Sequence, residues 1–127
     1  MPVLYKIDKE KGTIHTKCSG TVTLEEVIDH FRVLGEDPDC PGRLDVLLDL
    51  TECVTIPESD ELRAVGSTIA RVRDKIRFDA CAIVAPGDPI YGMARMFQVF
   101  AEDQFRVTQV FRKLDEGRKW LDSKSLE

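Results

Sequence analysis

Leu44-Asp45-Val46-Leu47-Leu48-Asp49-Leu50 is a short, mostly apolar run with loop residues on both sides. That pattern suits a strand at the centre of a sheet, buried on both of its faces. Residues 78–85, Phe78-Asp79-Ala80-Cys81-Ala82-Ile83-Val84-Ala85, read as a second central strand. Two such strands need helices to cover them, and the sequence around them supplies helical patterns at the right places.

Upstream of Leu44, Thr23 opens a helix with a capping box. Its hydroxyl accepts from the Glu26 N–H while the Glu26 side chain reaches back to the Thr23 N–H. Leu24, Val27, Ile28, Phe31 and Leu34 then share one face, and Gly35 is expected to end the helix. Residues 36–42 follow as a loop with two prolines. Before the helix, Val3-Leu4-Tyr5-Lys6-Ile7-Asp8 and Thr13-Ile14-His15-Thr16-Lys17-Cys18 flank a charged turn containing Gly12, which reads as a hairpin. The second of these runs is polar enough to suggest a strand near a sheet edge.

Downstream, residues 51–57 read as a connection into a second helix, whose core stripe is Leu62, Val65, Ile69, Val72 and Ile76. After the strand at 78–85, Pro86-Gly87 turns the chain. Asp88 is expected to cap a third helix with Pro89 at its first position. Residues 105–112 read as a further strand, and a short helix from Asp115 carries Trp120 and Leu121. The expected order is β-β-α-β-α-β-α-β-α. It implies an α/β fold with a mixed, largely parallel sheet, an N-terminal antiparallel hairpin and helices packed against the sheet.

A chain of 127 residues suits one domain, expected over 1–122. Residues 123–127 read as a tail in which Leu126-Glu127 has the look of a cloning scar. The net charge of −5 argues against binding nucleic acid or an anionic membrane, since both need a basic face. Cys18, Cys40, Cys53 and Cys81 are scattered, with no C-x-x-C pair, and are expected to be reduced structural thiols. No apolar segment follows a basic N-terminus and none is long enough to span a bilayer, so a cytoplasmic location is expected. No metal or cofactor is implied.

The motifs of common catalytic sites are missing. There is no G-x-G-x-x-G, no G-x-x-x-x-G-K-[ST] and no G-x-S-x-G. His15 falls on the polar face of its strand and His30 off the apolar stripe of its helix, so both read as solvated and the chain as non-catalytic. Ser59 is placed as N-cap of the second helix, its hydroxyl accepting from the Leu62 N–H. A phosphate there would meet the positive end of the helix dipole, but Glu58, Asp60 and Glu61 would repel it. On the third helix Ile90, Met93, Ala94, Phe97, Phe100 and Ala101 form a core face, and Tyr91, Arg95, Gln98 and Glu102 a narrow polar stripe. Gly92, Met96 and Val99 belong to neither. A helix apolar around so much of its circumference is usually covered, whether by its own chain, a second protomer, a protein partner or an apolar ligand.

The order of elements, Tyr91-Gly92-Met93-Ala94-Arg95-Met96 and the closing Trp120-Leu121 together resemble the SpoIIAA-like proteins, also described as STAS/SEC14-type domains. The likeness runs from about Tyr5 to Leu121. It implies the same mixed sheet and a non-catalytic interaction or regulatory module working through a protein partner or a homodimer. Tyr91, Arg95, Met96 and Val99 are the candidate contacts. Related anti-sigma-factor antagonists bind a kinase and are switched by phosphorylation of a serine at the start of the second helix. With one extra loop residue Ser59 falls on that serine and Glu58 on the aspartate before it. Asp60 and Glu61 then stand where the antagonists have a small residue and glycine. The SEC14 comparison implies an apolar or lipid-like ligand instead, with Tyr91 and Arg95 near its entrance and the arginine pairing with an anionic head group.

Overall fold

The computed structural model describes residues 3–55, 58–72 and 74–125. The elements are β1 (Val3–Asp8), β2 (Thr13–Thr21), α1 (Leu24–Glu36), β3 (Arg43–Thr55), α2 (Ser59–Val72), β4 (Arg77–Val84), α3 (Asp88–Phe100), β5 (Val107–Phe111) and α4 (Leu114–Ser125). The strands lie in the order β1-β2-β3-β4-β5. β1 runs antiparallel to β2 and every other pairing is parallel. The mixed α/β architecture and its element order are as expected from the sequence.

Because successive parallel strands are added on the same side, right-handed crossovers place α1, α2 and α3 on one face. These helices touch in sequence, α1 on α2 and α2 on α3. Between them and the sheet lies the main core, with Ile14, Leu34, Leu44, Leu62, Val65, Ile69 and Ile83 all buried. α4 follows the last strand and returns over the opposite face, where it packs on β3, β4 and β5. Its smaller core joins Leu121 and Trp120 to Leu47, Ala80, Ala82 and Val84. The β1–β2 half of that face stays open.

This open half corrects one expectation. β2 is not at an edge; it is hydrogen-bonded to β1 on one side and β3 on the other. Ile14, Thr16 and Cys18 are buried toward the three helices. Thr13, His15 and Lys17 alternate with them and point to the face that α4 leaves bare. Their polarity reports an uncovered face, not an unpaired edge.

Other boundaries shift for local reasons. The Thr23 capping box forms as read, but α1 continues through Gly35 and ends at Asp37, whose N–H donates to the Leu34 carbonyl. β3 extends to Thr55, because Ser19, Gly20 and Thr21 of β2 offer partners to Glu52, Cys53 and Thr55. The connection expected at 51–57 is therefore strand as far as Thr55, and residues 56 and 57 lie outside the described residues. Gly87, not Asp88, is the cap of α3, with no side-chain hydrogen bond there. The Asp88 carboxylate instead accepts from Arg112 Nη1 at 2.5 Å. α4 begins at Leu114 and carries residues 123–125, read from sequence as tail, within the helix. All four cysteines are unpaired, and burial pushes the Cys18 thiol up to about 12.

Two helical glycines separate packing from propensity. A Cβ on Gly117 of α4 would sit 2.8 Å from Val84 Cγ2, so this glycine sets how closely α4 approaches the sheet. Gly92 of α3 has open space around the same position. Gly117→Ala is expected to lower stability by about 1–3 kcal/mol through overpacking. Gly92→Ala is expected to raise it by about 0.5–1 kcal/mol, as helix propensity alone dictates. Urea denaturation of the two variants beside the parent chain measures both.

Candidate functional site

The outward side of α3 carries an apolar stripe. Gly92, Arg95, Met96 and Val99 are exposed, while Ile90, Ala94 and Phe97 face the core. Positions 92, 95, 96 and 99 recur at the three- and four-residue spacing that puts side chains on one helix face. Met96 is 42% exposed and Val99 63%, high values for large apolar side chains on a helix this well anchored. The anchoring is visible in its last turn. Gln98 Nε2 donates to the Thr108 carbonyl of β5 at 2.7 Å, and the Arg63 guanidinium of α2 lies 5.3 Å over the Phe100 ring.

Tyr91 and Arg95 are placed differently from one another. Tyr91 is half-buried beneath the Arg112 guanidinium, 4.1 Å from its ring centre, a cation–π contact. Arg95 is exposed within the apolar stripe and has no ion pair or hydrogen bond among the described residues. The structure thus brings Arg95, Met96 and Val99 to one surface, with Tyr91 tucked at its N-terminal end. Ser59 is the first residue of α2. The Leu62 N–H, expected to reach its hydroxyl, donates to the Glu58 carbonyl at 2.8 Å, and the Ser59 side chain lies outside the described residues.

A second feature is an apolar cavity of about 90 Å³ between the sheet and the three helices. Phe31, Leu48, Phe78 and Phe97 are among its walls, and neither Tyr91 nor Arg95 lines it. A cavity of roughly 150 Å³ holds a benzene ring, so this one has room for a few heavy atoms and not for a lipid chain.

His30 also lines that cavity, which corrects its reading as a solvated side chain. It meets Tyr5 edge-on at 5.4 Å and Phe31 at 5.1 Å. Tyr5 is itself fixed, its hydroxyl donating to Asp37 Oδ2 at 2.6 Å. Burial disfavours the imidazolium and lowers the His30 pKa to about 4.

His15 gains partners that its sequence neighbourhood does not reveal. Its ring nitrogen Nε2 lies 2.9 Å from Asp49 Oδ2 and Nδ1 lies 3.1 Å from Arg118 Nη2. A guanidinium only donates, so Nδ1 accepts and Nε2–H donates to Asp49. Burial alone would raise the Asp49 pKa, but bonds from the Thr51 hydroxyl, the Thr51 N–H and His15 outweigh it and hold the carboxyl below its ordinary value. These residues are 34 and 103 positions apart in the chain. Only the parallel pairing of β2 with β3, and the return of α4, bring them together.

Near the other end of β3, Arg43 and Arg106 converge on Asp79, with Arg106 Nε 2.6 Å from Asp79 Oδ1. Opposing hydrogen-bond and charge effects leave Asp79 depressed despite its burial. Asp45 beside it is fully buried; Oδ1 accepts from the Ala80 N–H at 3.0 Å, and Oδ2 has no partner among the described residues. No group of three or more His, Cys, Asp or Glu side chains among the described residues is arranged to hold a metal ion. No helix among them is long and apolar enough to cross a membrane.

No protein-family model matches the chain, and no curated protein matches it. Among solved structures it is similar to an uncharacterized protein of the DUF3478 family with a SpoIIAA-like fold, from Shewanella loihica PV-4. The TM-score is 0.58 at 17% sequence identity, covering 94% of this chain and 91% of that one. The fold is therefore SpoIIAA-like, as the sequence resemblance implied. At this identity the likeness speaks to the fold alone.

His30 makes stability depend on pH in a defined direction. Its pKa is lowered in the folded chain, so the unfolded chain binds the extra proton as pH falls. Its contribution is full above about pH 6.5 and is lost as pH falls toward 4, at about 1.4 kcal/mol per pH unit. Denaturant titrations at pH 7 and pH 5 are expected to differ less for His30→Phe than for the parent chain.

Proposed function

We propose that this protein is a non-catalytic interaction module that docks a protein partner on the outer face of α3. The observation that carries this reading is the exposed stripe of Met96 and Val99, with Gly92 allowing close approach and Arg95 set among them. Fully burying side chains of this size is worth about 1.5–3 kcal/mol each, enough for a patch to dominate a modest interface.

The occupant is a different protein that brings a carboxylate, not a second copy of this chain. A two-fold contact centred between Arg95 and Met96 would set the two copies of Arg95 close together and leave Glu102, two turns on, at its rim. An acidic residue beside an apolar one on the partner satisfies Arg95 and covers Met96 at once.

A carrier of an apolar ligand is the second reading, favoured by the cavity under the helices. Its volume narrows that reading to a molecule of a few heavy atoms.

A photo-cross-linker placed at Val99 identifies the partner, and calorimetry with the purified partner then tests the contact. Met96→Asp is expected to weaken binding at least tenfold and Arg95→Glu to weaken it as well, both with an unchanged melting temperature. Sedimentation is expected to show a monomer for the protein alone. Partner binding indifferent to both substitutions, or a dimer that Met96→Asp dissociates, would sink this reading.

A further inference from the structure

On the opposite side of the molecule, the uncovered half of the sheet forms a cleft between β1, β2 and α4. Its volume is about 330 Å³, and it is lined by Lys6, Lys11, His15 and Arg118 together with Asp8, Asp122 and an apolar floor of Leu47 and Leu121. We propose that this cleft binds a small molecule through an oxyanion, a carboxylate or phosphate group, held by Arg118 and Lys6 beside His15.

The distribution of partners supports the assignment. The three acids in or beneath the cleft each have a partner within the protein. Asp8 accepts from the Glu10 and Lys11 N–H groups at 3.1 and 3.2 Å and so closes the hairpin turn. Asp49, beneath the cleft, is held by Thr51 and His15. Asp122 likewise has an interaction of its own. The cations are not engaged in this way. Lys6, Lys11 and Arg118 have no carboxylate partner among the described residues.

Arg118 is the most telling of the three. Its one contact is the His15 Nδ1 lone pair at 3.1 Å, a neutral acceptor, which leaves most of its donors aimed at solvent. An oxyanion can take those donors in the two-point geometry that guanidinium favours. Lys6 stands directly opposite His15 in the β1–β2 ladder, so its side chain rises from the same face. His15 itself is oriented from below by Asp49, with its side chain 29% exposed. That arrangement presents a fixed polar edge beside the anion. Leu47 and Leu121 are both buried and give a small carbon skeleton something apolar to rest on. The volume matches the lower end of small-molecule sites.

Nuclear magnetic resonance of the full chain tests this, with inorganic phosphate and acetate added separately at constant ionic strength against sodium chloride. The His15 ring and Arg118 side-chain signals are expected to shift saturably. Tighter saturation by phosphate assigns a phosphate ligand, and tighter saturation by acetate a carboxylate. Arg118→Gln, at an exposed position, is expected to keep the melting temperature and weaken binding at least tenfold. Lys6→Gln is expected to weaken it less, and Arg95→Gln on the far side of the molecule not at all. Shifts no larger than those with chloride, or binding undiminished in Arg118→Gln, would overturn the proposal.

Discussion

The arrangement depends on a constraint of handedness. The chain lays its strands down in spatial order from β1 to β5, and right-handed crossovers then have no choice of side. Three helices must fall on one face. What remains for the other face is whatever follows β5, and that is a single helix of 12 residues. Such a helix is about 18 Å long and covers the β3–β5 side only. The two faces of the sheet therefore have different environments, one sealed by three helices and one divided between a packed half and an open half.

That division explains the buried charges. β3 sends Leu44, Val46 and Leu50 into the main core, while Asp45, Leu47 and Asp49 alternate onto the α4 face. Leu47 is under the helix and Asp49 lies toward the open cleft, where His15 and Thr51 satisfy it. Asp45 bonds the Ala80 N–H where the β3–β4 register shifts, which ties its carboxylate to that irregularity. Breaking such a buried pair costs far more than forming it gains.

Much of the fold was legible because it is local. The capping box at Thr23, the stripe through Leu62, Val65 and Ile69 and the hairpin around Gly12 each reside within a few neighbouring residues. What could not be read depends on neighbours far along the chain. The polarity of Thr13, His15 and Lys17 fits an edge strand and an uncovered face equally well, and only the position of α4 separates the two. His30 lies off the apolar stripe by periodicity, yet Tyr5 of the hairpin reaches over and encloses it. Asp88 has the chemistry of a cap, but Arg112, 24 residues on, claims its carboxylate. Of the α3 surface, the residue types were evident from spacing, and its exposure depended on no later element packing over it.

The α3 stripe and the open cleft lie on opposite sides of one sheet, and they arise from the same asymmetry. α3 is the last of three helices in a row, so its outer side has no fourth helix to bury Met96 and Val99. The cleft exists because the fourth helix went to the other face and packs there on β3, β4 and β5, leaving β1 and β2 uncovered. β3 touches both: it pairs with β2 beside the cleft, and α3 packs against it from the other side. On the core side of β3, Val46 and Leu48 line the cavity beneath α1–α3, and on the other side Asp49 meets His15. Between the cleft and the outer surface of α3 stand the backbone of the sheet, the side chains of the main core and α3 itself. One strand thus serves a polar cleft on one side of the sheet and the apolar core beneath α3 on the other.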